Sequence, residues 1–458
     1  MSFKSLFAPK DMTTGKPMKR IAQFALPMII GNIAQQLYST VDSIVVGKYV
    51  GDNALAAVGS SSPIYNLLLV LFIGISTGAG ITVSQYFGAK KREELSYAVG
   101  NCISLIAIAS AIIMVVGPLV STPLLRLLGT PDSIIDWCTN YLKILLLGVA
   151  GCGFYNILSG VLRGLGDSMS ALLYLLVATV INIVLDVYFV AGLGMGVPGV
   201  ALATVIAQAV SAVLCVLKLL KLKDVFDLKP HYIKINPTFA SQIIRLGLPS
   251  GLTQAIMSMA MIVVQSLTNS FGEMFIAANV IIMRVDGFAM MPNFSFGNAM
   301  TTFAGQNIGA KKLDRVKQGA KEGTLLGVGV STAITLILVL FGDKLMMLFT
   351  ETPELLALSF RNLRILAVGY IAMAVTQCLS GTMRGAGDTV SPMWVSMITT
   401  FVIRIPLAYG IAFLTRSAAN PNGMCECIPL SLLCSWVIGA CITALVYRKG
   451  AWKNKALD

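Results

Sequence analysis

The chain has 458 residues, 56% of them hydrophobic and only 12% charged, with a formal net charge of +13. Soluble domains carry about 25% charged residues, so the composition excludes a water-soluble enzyme or binding domain as the bulk of the molecule. The basic excess does not point to nucleic acid either, because the charges sit in short polar segments between long apolar blocks.

The first twenty residues are polar and basic, with Lys4, Lys10, Lys16, Lys19 and Arg20. The apolar block that follows is too long for a signal-peptide core and shows no clear cleavage site, so it is expected to persist as the first span. Apolar blocks then run through the chain at 21–49, 54–86, 95–117, 136–162, 169–191, 198–222, 240–269, 274–306, 319–342, 355–380, 391–414 and 428–447. Crossing the hydrocarbon core takes about 20 apolar residues of helix. Barrel strands would instead alternate over about 10 residues. The expected fold is an all-α membrane protein of about 12 transmembrane helices. Basic groups at Lys90–Arg92, Lys218–Lys234, Lys311–Lys321 and Arg448–Lys455 fall in alternate loops or at the terminus. By the positive-inside rule, both termini are then cytoplasmic.

The linker around Pro230 and Pro237 divides the chain near its middle, and the two sides repeat each other. Leu26-Pro27 returns as Leu248-Pro249, and Thr130-Pro131 as Thr352-Pro353, 222 residues on. Gly88-Ala89-Lys90-Lys91 returns as Gly309-Ala310-Lys311-Lys312, 221 residues on. Arg163-Gly164-Leu165-Gly166-Asp167 returns as Arg384-Gly385-Ala386-Gly387-Asp388 at the same offset. The expected organisation is an N-terminal six-helix bundle (1–222), a cytoplasmic linker (223–239) and a C-terminal six-helix bundle (240–458), pseudo-symmetric and parallel in topology. Such repeats support alternating access by rocking of one bundle against the other. The Arg and Asp of the Gly-rich loops are expected at the cytoplasmic surface. These loops are not phosphate fingerprints, since no strand precedes them and no Gly-Lys-Ser or Gly-Lys-Thr follows. No segment is large enough for an ATP-binding domain, so transport would draw on an ion gradient or a partner.

Ionisable groups inside spans are costly, about 2.5–3.5 kcal/mol at mid-membrane, and mark function. The candidates are Asp42, Asp186, Arg284, Asp286 and Arg404. Counted from the outer ends of their spans, Asp42 and Asp186 lie roughly 12 and 9 Å deep, and Thr204 roughly 10 Å. Asn182 shares a helix face with Asp186. Asp42, Asn182, Asp186 and Thr204 therefore form the expected ion-coupling site. Hard oxygen ligands suit Na⁺, and a carboxylate beside another takes a proton. The second half has Val264 and Leu407 at the positions of the two acids, so the ion site is expected in the first half alone. Gln35, Tyr38, Asn156, Arg284 and Asp286 are the candidate substrate contacts. Arg284 and Asp286, two residues apart, face different ways. Arg404, just before Pro406, reads as structural. Met257, Met259, Met261, Met290 and Met291 would suit a pocket of adaptable shape. The nine cysteines read as small buried hydrophobes, and no metal site or cofactor is expected beyond the coupling ion, Na⁺ or H⁺.

The chain resembles the multidrug and toxic compound extrusion (MATE) family along its whole length. The resemblance rests on Leu26-Pro27 followed by the run Asp42 to Gly47, on Gln85 to Ala89, and on Arg163 to Asp167. Met291-Pro292, Gly305 to Ala310 and Arg384 to Asp388 carry it in the second half. It implies two six-helix bundles in a V, exporting organic cations and other drugs in exchange for Na⁺ or H⁺. The match is nearest to DinF-like and MepA-like bacterial branches, whose acidic site in the first bundle falls on Asp42, Asn182, Asp186 and Thr204. Branches with acids in spans seven and ten differ, since here those spans offer Gln254, Gln265 and Gln377. The implied protein is a monomeric multidrug exporter of the bacterial plasma membrane, with small drugs or metabolites and the bilayer as partners. The alternative is a flippase or dedicated exporter of a lipid-linked or metabolic substrate. A passive channel and an enzyme rank below these, with one His in the chain and no nucleophile–base pair at readable spacing.

Overall fold

In lipid every backbone N–H and C=O must be satisfied within the chain, which favours helices. The computed structural model describes the backbone of residues 7–127, 130–347, 351–417 and 421–457, and their side chains except at 37–43, 52, 55 and 63; it is helical, with no strand among these residues. In order, the first half contains α1 (Pro17–Tyr49), α2 (Asp52–Gly88), α3 (Arg92–Leu127), α4 (Asp132–Leu147), α5 (Val149–Gly164), α6 (Ser168–Asp186) and α7 (Val197–Lys221). A short helix, α8 (Pro230–Ile233), lies in the linker. The second half holds α9 (Pro237–Ser270), α10 (Glu273–Gly309), α11 (Leu313–Met346), α12 (Pro353–Gly385), α13 (Val390–Met397), α14 (Ile405–Leu414) and α15 (Cys427–Lys449). Turns of π-helix at Val187–Gly192 and Ile398–Arg404 extend α6 and join α13 to α14. Ten helices among the described residues are long and apolar enough to span, and the α4–α5 pair, bent by 52°, makes an eleventh. Helix α1, at 33 residues, is about 50 Å long, more than the thickness of the hydrocarbon core.

The bend between α4 and α5 falls at Gly148, where an added Cβ would lie 2.3 Å from Val205 Cγ1. Only a residue without a side chain lets α7 pass that close. Facing helices elsewhere approach through the same device, and they do so twice. Gly160 and Gly164 of α5 meet Ser76 and Gly80 of α2, while Gly381 and Gly385 of α12 meet Gly297 and Thr301 of α10, 221 residues on. Packing of small residues substitutes here for the hydrophobic effect, which has no purchase between helices in lipid. The repeat extends to backbone angles: among the described residues, Lys90 and Lys311 are the non-glycine residues with positive φ, at 57° and 58°.

The Gly-rich loops correct one expectation. Asp167 and Asp388 are buried within the protein rather than set at its surface. Each caps the following helix: Asp167 accepts from Ser170 N–H (2.9 Å) and Asp388 from Ser391 N–H (3.2 Å), with the serine hydroxyls adding 2.7 Å bonds. Asp167 also pairs with Lys218 Nζ at 3.6 Å. A cap satisfies orphan N–H groups that lipid or protein interior would otherwise leave bare.

Contacts between Cα atoms divide the chain into two compact units, Met1–Asp11 with Pro27–Gly251, and Met12–Leu26 with Leu252–Asp458. The borders fall inside α1 and α9, beside Pro27 and Pro249, where the missing N–H interrupts the helical ladder. Within the second unit the N-terminal segment is strapped down. Met12 N–H donates to Gln306 Oε1 (2.8 Å), Lys312 Nζ to Thr13 O (2.9 Å), and Met18 N–H to Glu322 Oε2 (2.8 Å). Asn307 Nδ2 and the Arg315 guanidinium both donate to Met12 O. Within the first unit the linker is held in like manner. Asp227 N–H donates to Ser96 Oγ (2.9 Å), Asn236 N–H donates to Asn101 Oδ1 (2.8 Å), and Arg92 pairs with Asp227 at 3.2 Å. Apolar side chains such as Leu119, Val180, Leu340 and Val402 are exposed on the spanning helices, as a lipid-facing surface requires.

Candidate functional site

Two polar places stand out, one in each unit. In the first, Asn182 of α6 and Thr204 of α7 are brought together: Asn182 Nδ2 donates to Thr204 Oγ1 at 3.3 Å, and Thr204 Oγ1 donates to Val200 O at 3.1 Å. Asn182 is buried, and so is Asp186, one turn further along α6. Asp186 is the last α-helical residue before the π-turn Val187–Gly192. Such turns re-aim side chains and recur at functional sites. An apolar cluster of Val45, Val46, Tyr141, Val190 and Val200 packs beside these groups. A carboxylate, an amide and a hydroxyl in an apolar setting make a site suited to a proton or a hard monovalent cation. Asp42 and Tyr38 lie among residues 37–43, outside the described side chains. Of the other expected contacts, Gln35 is exposed on α1. Asn156 is half-buried, and its amide donates to Cys152 O (2.8 Å) on its own helix.

In the second unit, α9, α10, α12, α15 and the π-turn Ile398–Arg404 enclose a cavity of about 320 Å³. Asp286 lines it; Arg284 does not, and its side chain is exposed, as two positions apart on a helix dictate. Arg404, read from the sequence as structural, also lines the cavity. Pro406 cannot donate to Val402 O, and the helix relieves that break by widening into the π-turn that ends at Arg404. Asp286 Oδ1 and Arg404 Nε are buried without a hydrogen-bond partner, and so is the hydroxyl of Tyr370. None of the ion pairs among the described residues involves Asp286 or Arg404. Gln254, Gln265 and Met257 also line the cavity, and Trp436 closes one wall against Tyr370, with ring centroids 5.9 Å apart. Sequence reading noticed the glutamines and methionines singly; the only signal for Arg404 was a charge beside a proline in an apolar span.

Two repeated helical bundles with polar groups buried in spanning helices define the class of secondary transporters. The chain belongs to the MatE family, whose model matches twice, at residues 27–188 and 249–410. Each copy begins at one of the two helix prolines. The chain is 30% identical to the probable multidrug resistance protein YoeA of Bacillus subtilis over 87% of its own length and 88% of the relative's. It is 25% identical to the multidrug export protein MepA of Staphylococcus aureus, over 81% and 83%. Among solved structures it matches the outward-facing conformation of a multidrug resistance MATE family transporter with a TM-score of 0.89, 25% identity and coverage of 96% and 98%.

Proposed function

We propose that this protein is a secondary active exporter that exchanges H⁺ or Na⁺ for small organic molecules, often cations, by alternating access. The observation that carries the reading is the burial of an acidic side chain, Asp186, inside a spanning helix one turn from the Asn182–Thr204 pair, since ionisable groups in spans are costly and mark ion pathways. Asp42, on the spanning helix α1, is assigned to the same site. The membrane potential supplies about 2.3 kcal/mol per charge per 100 mV, enough for one or two ions to drive steep export. The termini are assigned to the cytoplasm of a bacterial plasma membrane from the basic loops, and the working unit is taken as the monomer. The relatives named as multidrug resistance and export proteins support the direction and breadth of transport.

The test is transport of a fluorescent cation in proteoliposomes under imposed Na⁺ and pH gradients, applied separately. One gradient drives uphill movement in the wild type, and Asp186→Asn and Asp42→Asn each abolish the drive. Equal flux with and without any gradient, unchanged by either substitution, would mean a passive pore.

A further inference from the structure

We infer that the cavity of the second unit is a binding site for a small zwitterion with an apolar body, its ammonium group held by Asp286 and its carboxylate by Arg404. The inference rests on the reading of the chain as a small-molecule transporter and names a substrate class for it.

Asp286 and Arg404 both line one cavity of about 320 Å³, the lower end of the usual range for ligand pockets, about 300–1,000 Å³. They carry opposite charge, yet they do not pair with each other: neither takes part in any ion pair among the described residues. Asp286 Oδ1 and Arg404 Nε are instead sequestered from solvent and without hydrogen-bond partners. A buried charge pair that merely held helices together would be closed, because an open one leaves both groups desolvated and unanswered. A structural role therefore predicts contact between them, and the geometry leaves a gap. A ligand bearing one charge would satisfy one of these groups and strand the other. A ligand bearing both satisfies both.

The rest of the cavity fits such a molecule. Met257, Met261, Phe294 and Trp436 give it flexible and aromatic walls for an apolar body. The Trp436 ring stands against Tyr370, whose hydroxyl is buried and also without a hydrogen-bond partner. A guanidinium is matched to a carboxylate by its planar fork of donors. Arg284 contributes nothing here, since it does not line the cavity.

The test uses the purified full chain in lipid nanodiscs and three fluorescent probes: Nε-dansyl-lysine, its methyl ester, which keeps only the ammonium, and its Nα-acetyl derivative, which keeps only the carboxylate. Binding is read from dansyl fluorescence. The wild type is expected to bind the zwitterion at least about tenfold tighter than either derivative, the loss of one charge-assisted contact. Arg404→Gln should weaken the zwitterion about tenfold and leave the ester unchanged, and Asp286→Asn should weaken the zwitterion and the ester and spare the acetyl derivative. Unchanged ester binding on Arg404→Gln doubles as proof that the variant is folded; if that variant fails to fold, the wild type's ranking of the three probes and the behaviour of Arg404→Lys decide. The assignment is overturned if the wild type binds ester and zwitterion alike, binds none of the three, or loses both equally in Arg404→Gln. The expected binding pattern without gradient-driven movement of any probe in proteoliposomes would refute the exporter reading and leave the binding site standing.

Discussion

The contact between α10 and α12 tolerates no side chain at Gly381. An added Cβ would lie 2.2 Å from Gly297 O, 3.0 Å from its carbonyl carbon and 3.1 Å from Met300 Cβ. Carbon–oxygen contacts settle at about 3.3–3.6 Å, so the helices would have to part by about 1 Å at this point. Both clashing atoms at Gly297 are backbone, and no rotamer change relieves them. Overpacking of this kind costs about 1–3 kcal/mol. For a unit of this size each kcal/mol moves the melting temperature by about 2–4 °C, so Gly381→Ala should melt about 2–12 °C below the wild type. The matched control is Gly329→Ala on α11, where nothing lies within 4 Å of the new methyl. There the gain in helix propensity, about 0.5–1 kcal/mol, should leave stability equal or higher. The assay is thermal unfolding in detergent followed by size-exclusion chromatography. A Gly381→Ala protein as stable as the Gly329→Ala protein would refute the close-approach reasoning.

Other outcomes follow from the same reading. Asp167→Ala and Asp388→Ala each lose a helix cap, about 1 kcal/mol, but Asp167 also pairs with Lys218, so its loss should lower the melting temperature more. Asn293→Ala should destabilise by about 1–3 kcal/mol, since Asn293 accepts from Ser331 Oγ (2.6 Å) and donates to Tyr370 O (3.1 Å) in a fully buried position. The hydrogen bond from Arg92 holds the Asp227 carboxyl below the usual carboxylate range. A depressed pKa gives stability that is present above the unfolded value and lost as pH falls through the folded one. Limited proteolysis of the linker should therefore speed up only below the ordinary carboxylate range, and Asp227→Asn should remove that dependence.

Much of this architecture is legible in residue order. A 20-residue apolar run can do little else than span, and matched Leu-Pro, Gly-Ala-Lys-Lys and Gly-rich loops at one offset reveal the repeat. The meeting of Asn182 with Thr204 was within reach too, because helix rise puts Asp186 and Thr204 at similar depth and Asn182 shares a helix face with Asp186. Counting along one helix says nothing about a partner far away in sequence, and that is where reading stopped. Asp286 and Arg404 share a cavity because five elements converge on it and a proline-driven π-turn carries Arg404 there. No spacing announces that meeting. The buried carboxylates of Asp167 and Asp388 escaped for a related reason: hydropathy places a loop at the membrane edge but does not say what covers it.

The strap at the start of the chain has a consequence for how the protein is made. Met12 and Met18 are held by side chains 294 and 304 residues downstream. At about 5–20 residues per second, a ribosome needs about 15–60 s to reach those partners after the strap has emerged. Through that interval the strap and the first turn of α1 are without these neighbours. The strap can therefore close only after α10 and the start of α11 have been made, with α12 to α15 still to come.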